Sequence, residues 1–142
     1  SAYGRTHPLT GDRIQVLRSL LEEDRAWNAE PDPDLQERFV RARAKLFGYL
    51  SEPHRTLAVY PPRDTSVPAR YARAYAYHKD ARVDLALAET DALLAREPDN
   101  PWFLELKGQV LLESGRPRDA LVPMRRATEL TPAHPLLAGM LG

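Results

Sequence analysis

Pro98 and Pro132 stand 34 residues apart, and the residues around them repeat at that spacing. Laid over the later stretch with the same offset, "ARYARAYAYHKDARVDLALAETDALLAREPDNP" places Ala74 over Gly108, Tyr77 over Leu111, Ala86 over Ala120, Pro98 over Pro132 and Pro101 over Pro135. A period of this length accommodates two helices and a turn. Each unit divides accordingly: Pro68 to Lys79 then Arg82 to Arg96, and Pro101 to Ser114 then Pro117 to Leu130. In the second unit Gly115 is able to take the left-handed conformation that ends a helix, and Pro117 opens the next one.

Two antiparallel helices approach closely only where their side chains are small. Gly108 with Ala120, and Ala74 with Ala86, are expected on facing sides of the two hairpins, with Leu104, Leu111 and Met124 filling the flanks and Ala127 admitting the following helix. This pattern resembles the tetratricopeptide repeat (TPR), a helix-turn-helix unit with a large apolar residue, Leu-Gly, Tyr, Ala, Phe, Ala and a closing Pro. The second unit carries the pattern through Leu104, Gly108, Leu111, Ala120, Met124, Ala127 and Pro132, and departs from it at Lys107. The first carries it through Ala74, Tyr77, Ala86 and Pro98, and departs at Arg70, Thr90 and Leu93. A third unit begins at "HPLLAGMLG", where Leu141-Gly142 restores the Leu-Gly pair, so the chain reads as a fragment that stops inside a repeat. The expected fold is all-α: a right-handed helical-hairpin solenoid over residues 67–142, with units at 67–100 and 101–134 and a truncated one from 135, preceded by a linker region of two or three helices at 11–66.

Ahead of the repeats, Ile14, Leu17 and Leu21 recur at helical spacing between Thr10 and Trp27, with Thr10 as the cap and Val16 and Leu20 widening the stripe. Asp32-Pro33 reads as an N-cap followed by proline at the first helical position. The helix from Pro33 to about Leu50 is expected to bury Leu35, Phe39, Ala42, Leu46 and Tyr49, with Arg38, Arg41 and Arg43 over the rest. Pro53 opens a further short helix, and "YPPRDTSVP" is a break with a fresh cap at Thr65-Ser66. Single repeats cannot bury their own faces, so the N-terminal helices are expected to act as neighbours to the first hairpin.

Composition narrows the function classes. With 142 residues, 43% hydrophobic and 28% charged, the chain matches one compact soluble domain. Twenty basic residues balance twenty acidic ones, which disfavours nucleic acid and anionic lipid as partners. No apolar run approaches the roughly 20 residues that span a bilayer, so direct membrane insertion is not expected. Cysteine is absent, which removes disulfides and thiolate chemistry. The chain holds no HExxH, no Gly-rich phosphate loop and no GxSxG, and His7, His54, His78 and His134 are scattered rather than at ligand spacing. Consecutive Glu22 and Glu23 point to different sides of a helix, which is the mark of a solvated face rather than of an acid and base. Arg125-Arg126 is interleaved with acidic residues and reads as a salt-bridged surface. No catalytic residue and no cofactor is therefore assigned to this chain.

Stacked hairpins line a concave face with the first helix of each unit. The residues expected there are Tyr71, Tyr75 and His78 from the first unit and Trp102, Glu105, Gln109 and Leu112 from the second. Either these form an aromatic groove for a protein or peptide, or the rings pack against the N-terminal helices or another domain. The stretch "RTHPLTGDRIQVLRSL", with its Thr-His-Pro and with Arg13 and Ile14, is similar to the segment that closes the catalytic domain of BepA-like, HtpX-related zinc metallopeptidases, whose members continue into a helical linker and TPR units. That resemblance implies a parent enzyme of the bacterial cell envelope or periplasm with its zinc site upstream of Ser1, residues 1–10 as the tail of its catalytic domain, and His7 as an accessory zinc ligand. It also implies that this region binds protein substrates or partners without hydrolysing them; a free-standing TPR scaffold is the alternative.

Overall fold

The computed structural model describes residues 11–24 and 29–131. Among them the chain is all-α, with seven helices and no strand: α1 (Gly11–Glu23), α2 (Pro33–Leu50), α3 (Pro53–Val59), α4 (Val67–Lys79), α5 (Val83–Arg96), α6 (Pro101–Glu113) and α7 (Pro117–Leu130). His7, the Thr10 cap, Pro132 and the third unit from 135 lie outside the described residues. The chain divides into two compact units, Ser1–Gln36 and Glu37–Gly142.

In the first unit, α1 carries the expected stripe, but Ile14, Val16, Leu17, Leu20 and Leu21 are all exposed. Arg18 and Glu22, one turn apart, pair at 3.1 Å on its surface. The start of α2 is fixed as its sequence predicts: the Asp32 carboxylate accepts the Asp34 N–H at 3.0 Å, and Pro33 occupies the position where a missing N–H costs nothing.

The second unit holds the core. Its helix starts follow the caps written in the sequence: Ser66 Oγ accepts the Ala69 N–H at 3.4 Å at α4, and the Asn100 side-chain oxygen accepts from Trp102 and Phe103 at 3.0 and 3.3 Å at α6. Helices α4 and α5 form one hairpin and α6 and α7 another, and α5 also packs on α6. Tyr71, Ala74, Tyr75, Tyr77, Ala86, Leu93, Phe103, Leu106 and Val110 make a continuous buried cluster across both hairpins. In the second hairpin Leu104 clusters with Ala127, Met124 lies against Gly108, and Leu111 clusters with Ala120. Partners that descend along one helix as they climb the other make the pair antiparallel. The atoms nearest to a Cβ placed at Gly108 belong to Met124, so the small position there accommodates a flexible thioether rather than Ala120.

The period is visible in the backbone. Ala81 and Gly115, separated by 34 residues, are the two described residues with positive φ, at 56° and 81°. Around them the bonds coincide: Arg82 N–H to Tyr77 O and Arg116 N–H to Leu111 O are both 2.8 Å, and Asp80 N–H to Ala76 O matches Ser114 N–H to Val110 O at 3.0 and 3.1 Å. The same turn is built twice, once with glycine and once with an alanine held where L-residues are strained.

One expectation is overturned. Leu35, Phe39, Ala42, Leu46 and Tyr49 do not form the buried face of α2: all five are exposed, Phe39 at 64%. The buried residues are Ala44 and Gly48, on the small-residue side of the helix. A methyl group at Gly48 would overlap the backbone carbonyl of Ala72, so α2 rests directly on the backbone of the alanine-rich α4. Bulky side chains have no room at such a crossing, and they turn outward. Edge contacts complete the junction, Tyr49 on Tyr75 at 6.1 Å and Phe47 on Tyr60 at 5.8 Å between ring centroids. The Lys79 ammonium donates to the carbonyls of Tyr49 and Ser51 at 3.0 and 2.7 Å, closing the C-terminus of α2.

Candidate peptide-binding surface

The seven residues expected along the groove do not share one environment. Tyr71 and Tyr75 are core residues, 5% and 8% exposed, and not an open aromatic wall. Phe103 inserts its ring against Tyr71 at 5.1 Å, and Tyr49 of α2 covers Tyr75. Burial pushes both phenols well above their ordinary pKa, and the nearby Glu105 carboxylate acts in the same direction, so neither tyrosine ionises in the physiological range. His78 and Gln109 meet at one acceptor: His78 Nε2 lies 2.7 Å from Glu113, and the Gln109 amide donates to the same carboxylate at 2.9 Å. These contacts, the Gln109 bond first, hold Glu113 below the usual carboxylate pKa. Glu105 is half-buried, whereas Trp102 and Leu112 are exposed, at 41% and 43%.

The small residues of the period are buried, although Gly108 faces Met124 instead of Ala120. Ala74, Ala86, Ala120 and Ala127 are buried, as is Gly108, and Pro98 is exposed in the turn after α5. Among the described residues no group of three or more His, Cys, Asp or Glu is placed to hold a metal ion.

One concavity lies beside Trp102. A cavity of about 510 Å³ is lined by Arg38, Arg41, Ala42 and Lys45 of α2, by Tyr71, and by Asn100, Trp102 and Phe103 at the start of α6. The Lys45 ammonium sits 5.2 Å from the centre of the Trp102 ring, a cation–π contact that gives a long side chain a fixed seat. The Arg41 guanidinium bridges two carboxylates, with Glu97 at 2.6 and 2.9 Å and Glu37 at 2.5 Å. Glu97 is held further by the Asn100 amide at 2.8 Å. The Arg41 bond and then the Asn100 bond lower the Glu97 pKa, and the Glu97 bond raises that of Arg41. One atom is left over: Arg41 Nε is buried without a partner among the described residues.

The apolar pattern of α2 puts Arg38 and Arg41 over the rest of the helix and does not mark Lys45. The signal was present in the steps of three and four from Arg38 to Arg41 to Lys45, which put three cations on one side of α2. The surface thus combines an exposed tryptophan and apolar rings with cations at its rim. Comparison with protein-family models, with curated proteins and with solved structures finds no match to this chain.

Proposed function

We propose that the two hairpins are TPR-type units of a right-handed helical solenoid, and that the chain is a non-catalytic protein-binding region. The observation that carries this reading is the turn built twice at the period, with positive φ at the equivalent position and the same flanking hydrogen bonds. Such identity of backbone with divergence of side chains is the mark of a repeat unit, and helical repeats present extended surfaces to other polypeptides. Trp102, exposed on the first helix of the second unit, supplies a large aromatic face at the mouth of a cavity, the kind of residue on which binding hot spots are built. The reading extends to a zinc-dependent metallopeptidase in which this region brings protein substrates or partners to the protease; it rests there on the Thr-His-Pro segment, and zinc and His7 belong to that extension.

Panning a random peptide library on the whole chain tests the binding role. The expected result is enrichment of a peptide family whose capture falls at least tenfold in Trp102→Ala, with circular dichroism unchanged. No enrichment, or equal capture by the variant, would refute the binding role. The protease extension is tested on the gene: an HExxH followed by a glutamate ligand upstream of Ser1 supports it, and a reading frame without them leaves a free-standing scaffold.

A further inference from the structure

Resting on that protein-binding reading, we propose that the cavity between α2 and the start of α6 selects an acidic peptide, seating a large apolar side chain on its floor and pairing the neighbouring carboxylate with Arg38 and Lys45. The floor consists of Ala42, Tyr71, Trp102 and Phe103, and about 510 Å³ is ample for one aromatic or leucine side chain and its flanking backbone.

Charge decides what lies beside that side chain. Arg41 is committed, because Glu37 and Glu97 occupy its fork. Arg38 and Lys45 have no carboxylate within ion-pair distance among the described residues, while the described lysines other than Lys45 are engaged, Lys79 by carbonyls and Lys107 by Asp91. The cavity thus keeps two cations without a carboxylate partner among the described residues, in a chain whose total charge is zero. Glu105 lies near Tyr71 and Tyr75 but does not line the cavity. The helix terminus adds nothing usable, since the Asn100 oxygen already takes the N–H groups of Trp102 and Phe103. Selectivity for an anion therefore falls to the two side chains, and the Trp102 face holds one of them in place before any ligand arrives.

A peptide carboxylate suits this arrangement better than a nucleic acid does. Two cations over an apolar floor match one carboxylate beside one apolar side chain, whereas a phosphate backbone calls for a continuous basic track. Glu37 and Glu97 at the margin would repel a polyanion and leave a single charge seated between the cations.

The probes are the peptides acetyl-Gly-Ser-Phe-Glu-Ser-Gly-amide and its Gln counterpart, titrated into the whole chain and followed by amide and indole shifts in NMR, which detects weak binding. The Glu peptide should move the Trp102 indole signal and bind about tenfold tighter than the Gln peptide, as a charge-assisted pair predicts. That preference should shrink several-fold in Arg38→Gln and in Lys45→Gln and vanish in the double variant. Arg38 is exposed and has no carboxylate partner among the described residues, so its variant folds and keeps the test decisive even if Lys45→Gln does not. Equal affinity for the two peptides overturns the acidic selection while leaving library capture through Trp102 intact. No shift with either peptide overturns the cavity as a peptide seat. Single-stranded RNA binding that depends on Arg38 and Lys45 and displaces the Glu peptide assigns the cations to phosphate and overturns it as well.

Discussion

The two hairpins share a backbone and differ in what they bury. At the position where the first hairpin has Arg73, the second has Lys107; where the first has Glu89 and Thr90, the second has Pro123 and Met124. Arg73 is fully buried and spends its whole guanidinium, on Glu89 at 2.7 and 3.4 Å and on the carbonyls of Pro61 and Asp64 at 2.8 and 2.7 Å, with Tyr60 O at 3.4 Å. Glu89 also accepts from Arg70 at 3.0 Å. Lys107 meets Asp91 at 2.7 Å near the surface, and its hairpin is closed by Leu111, Ala120 and Met124 instead. The period thus belongs to the turn and the crossing of the helices, while the interior answers to the neighbour. The first hairpin must hold the "YPPRD" loop that precedes it, whose carbonyls need a donor; the second follows directly on α5 and needs none.

The largest expected effect breaks that contrast at its centre. Arg73→Met leaves Glu89 partly desolvated and three loop carbonyls without their donor, and is expected to cost about 3–5 kcal/mol in urea denaturation. Lys107→Met removes one largely solvated pair and should cost at most about 1 kcal/mol. Adding Glu89→Met to the first variant removes a buried carboxylate left with Arg70 alone and should recover part of the loss, but not the share due to the loop. If Arg73→Met and Lys107→Met cost the same, the two interiors are not different in kind.

Much of this fold was legible in the sequence because punctuation is local. Asp32-Pro33, Ser66, Pro101, Gly115 and Pro117 each act on their own backbone, and the helices begin and end where those residues put them. The face of α2 was not legible. Hydrophobic periodicity assumes that the largest apolar side chains go inward, and here the partner is a helix so poor in side chains that Ala44 and Gly48 are the residues able to meet it. The same error hid the cavity: once Leu35, Phe39 and Leu46 turn outward, Arg41 and Lys45 turn toward α6. Tyr71 and Tyr75 lie on α4, but their burial depends on a neighbour that no local pattern announces. Arg73 had no signal at all, since a buried arginine within "ARYARAYAY" differs from a solvated one only through what surrounds it.

A smaller effect sharpens the comparison at the turn. Ala81 pays the left-handed strain that Gly115 avoids. Ala81→Gly relieves it and loses part of the gain to the freer unfolded chain, so a net stabilisation of about 0.5–1 kcal/mol is expected. Gly115→Ala should destabilise by about 1 kcal/mol, because open space around the position leaves only the backbone term. Opposite signs at equivalent positions would establish that one turn geometry serves both hairpins; equal signs would dissolve the equivalence.

The smallest effect concerns the far ends of α5 and α7. Glu97 and Thr131 close these helices with nearly the same backbone, φ −132° and −135°, and the same bond to the residue four back, Leu93 O at 3.0 Å and Ala127 O at 3.1 Å. Thr131 turns its hydroxyl onto Ala127 O at 2.9 Å, whereas Glu97 reaches away to Arg41 and Asn100. Only the first end titrates. With its folded pKa held below the unfolded carboxylate value of about 4.3, Glu97 contributes its full stabilisation above that value and loses it as the pH falls through the folded pKa, because the unfolded chain takes up the proton first. Glu97→Gln should therefore lower stability at neutral pH by about 0.5 kcal/mol, in keeping with a pair that is a third exposed, and the gap to the parent should close below pH 4. Thr131→Val should instead shift stability by the same amount at every pH. A Glu97→Gln gap that persists undiminished at pH 3 would mean that the Arg41 contact does not depend on the charge of Glu97, and that the two helix ends differ in shape rather than in electrostatics.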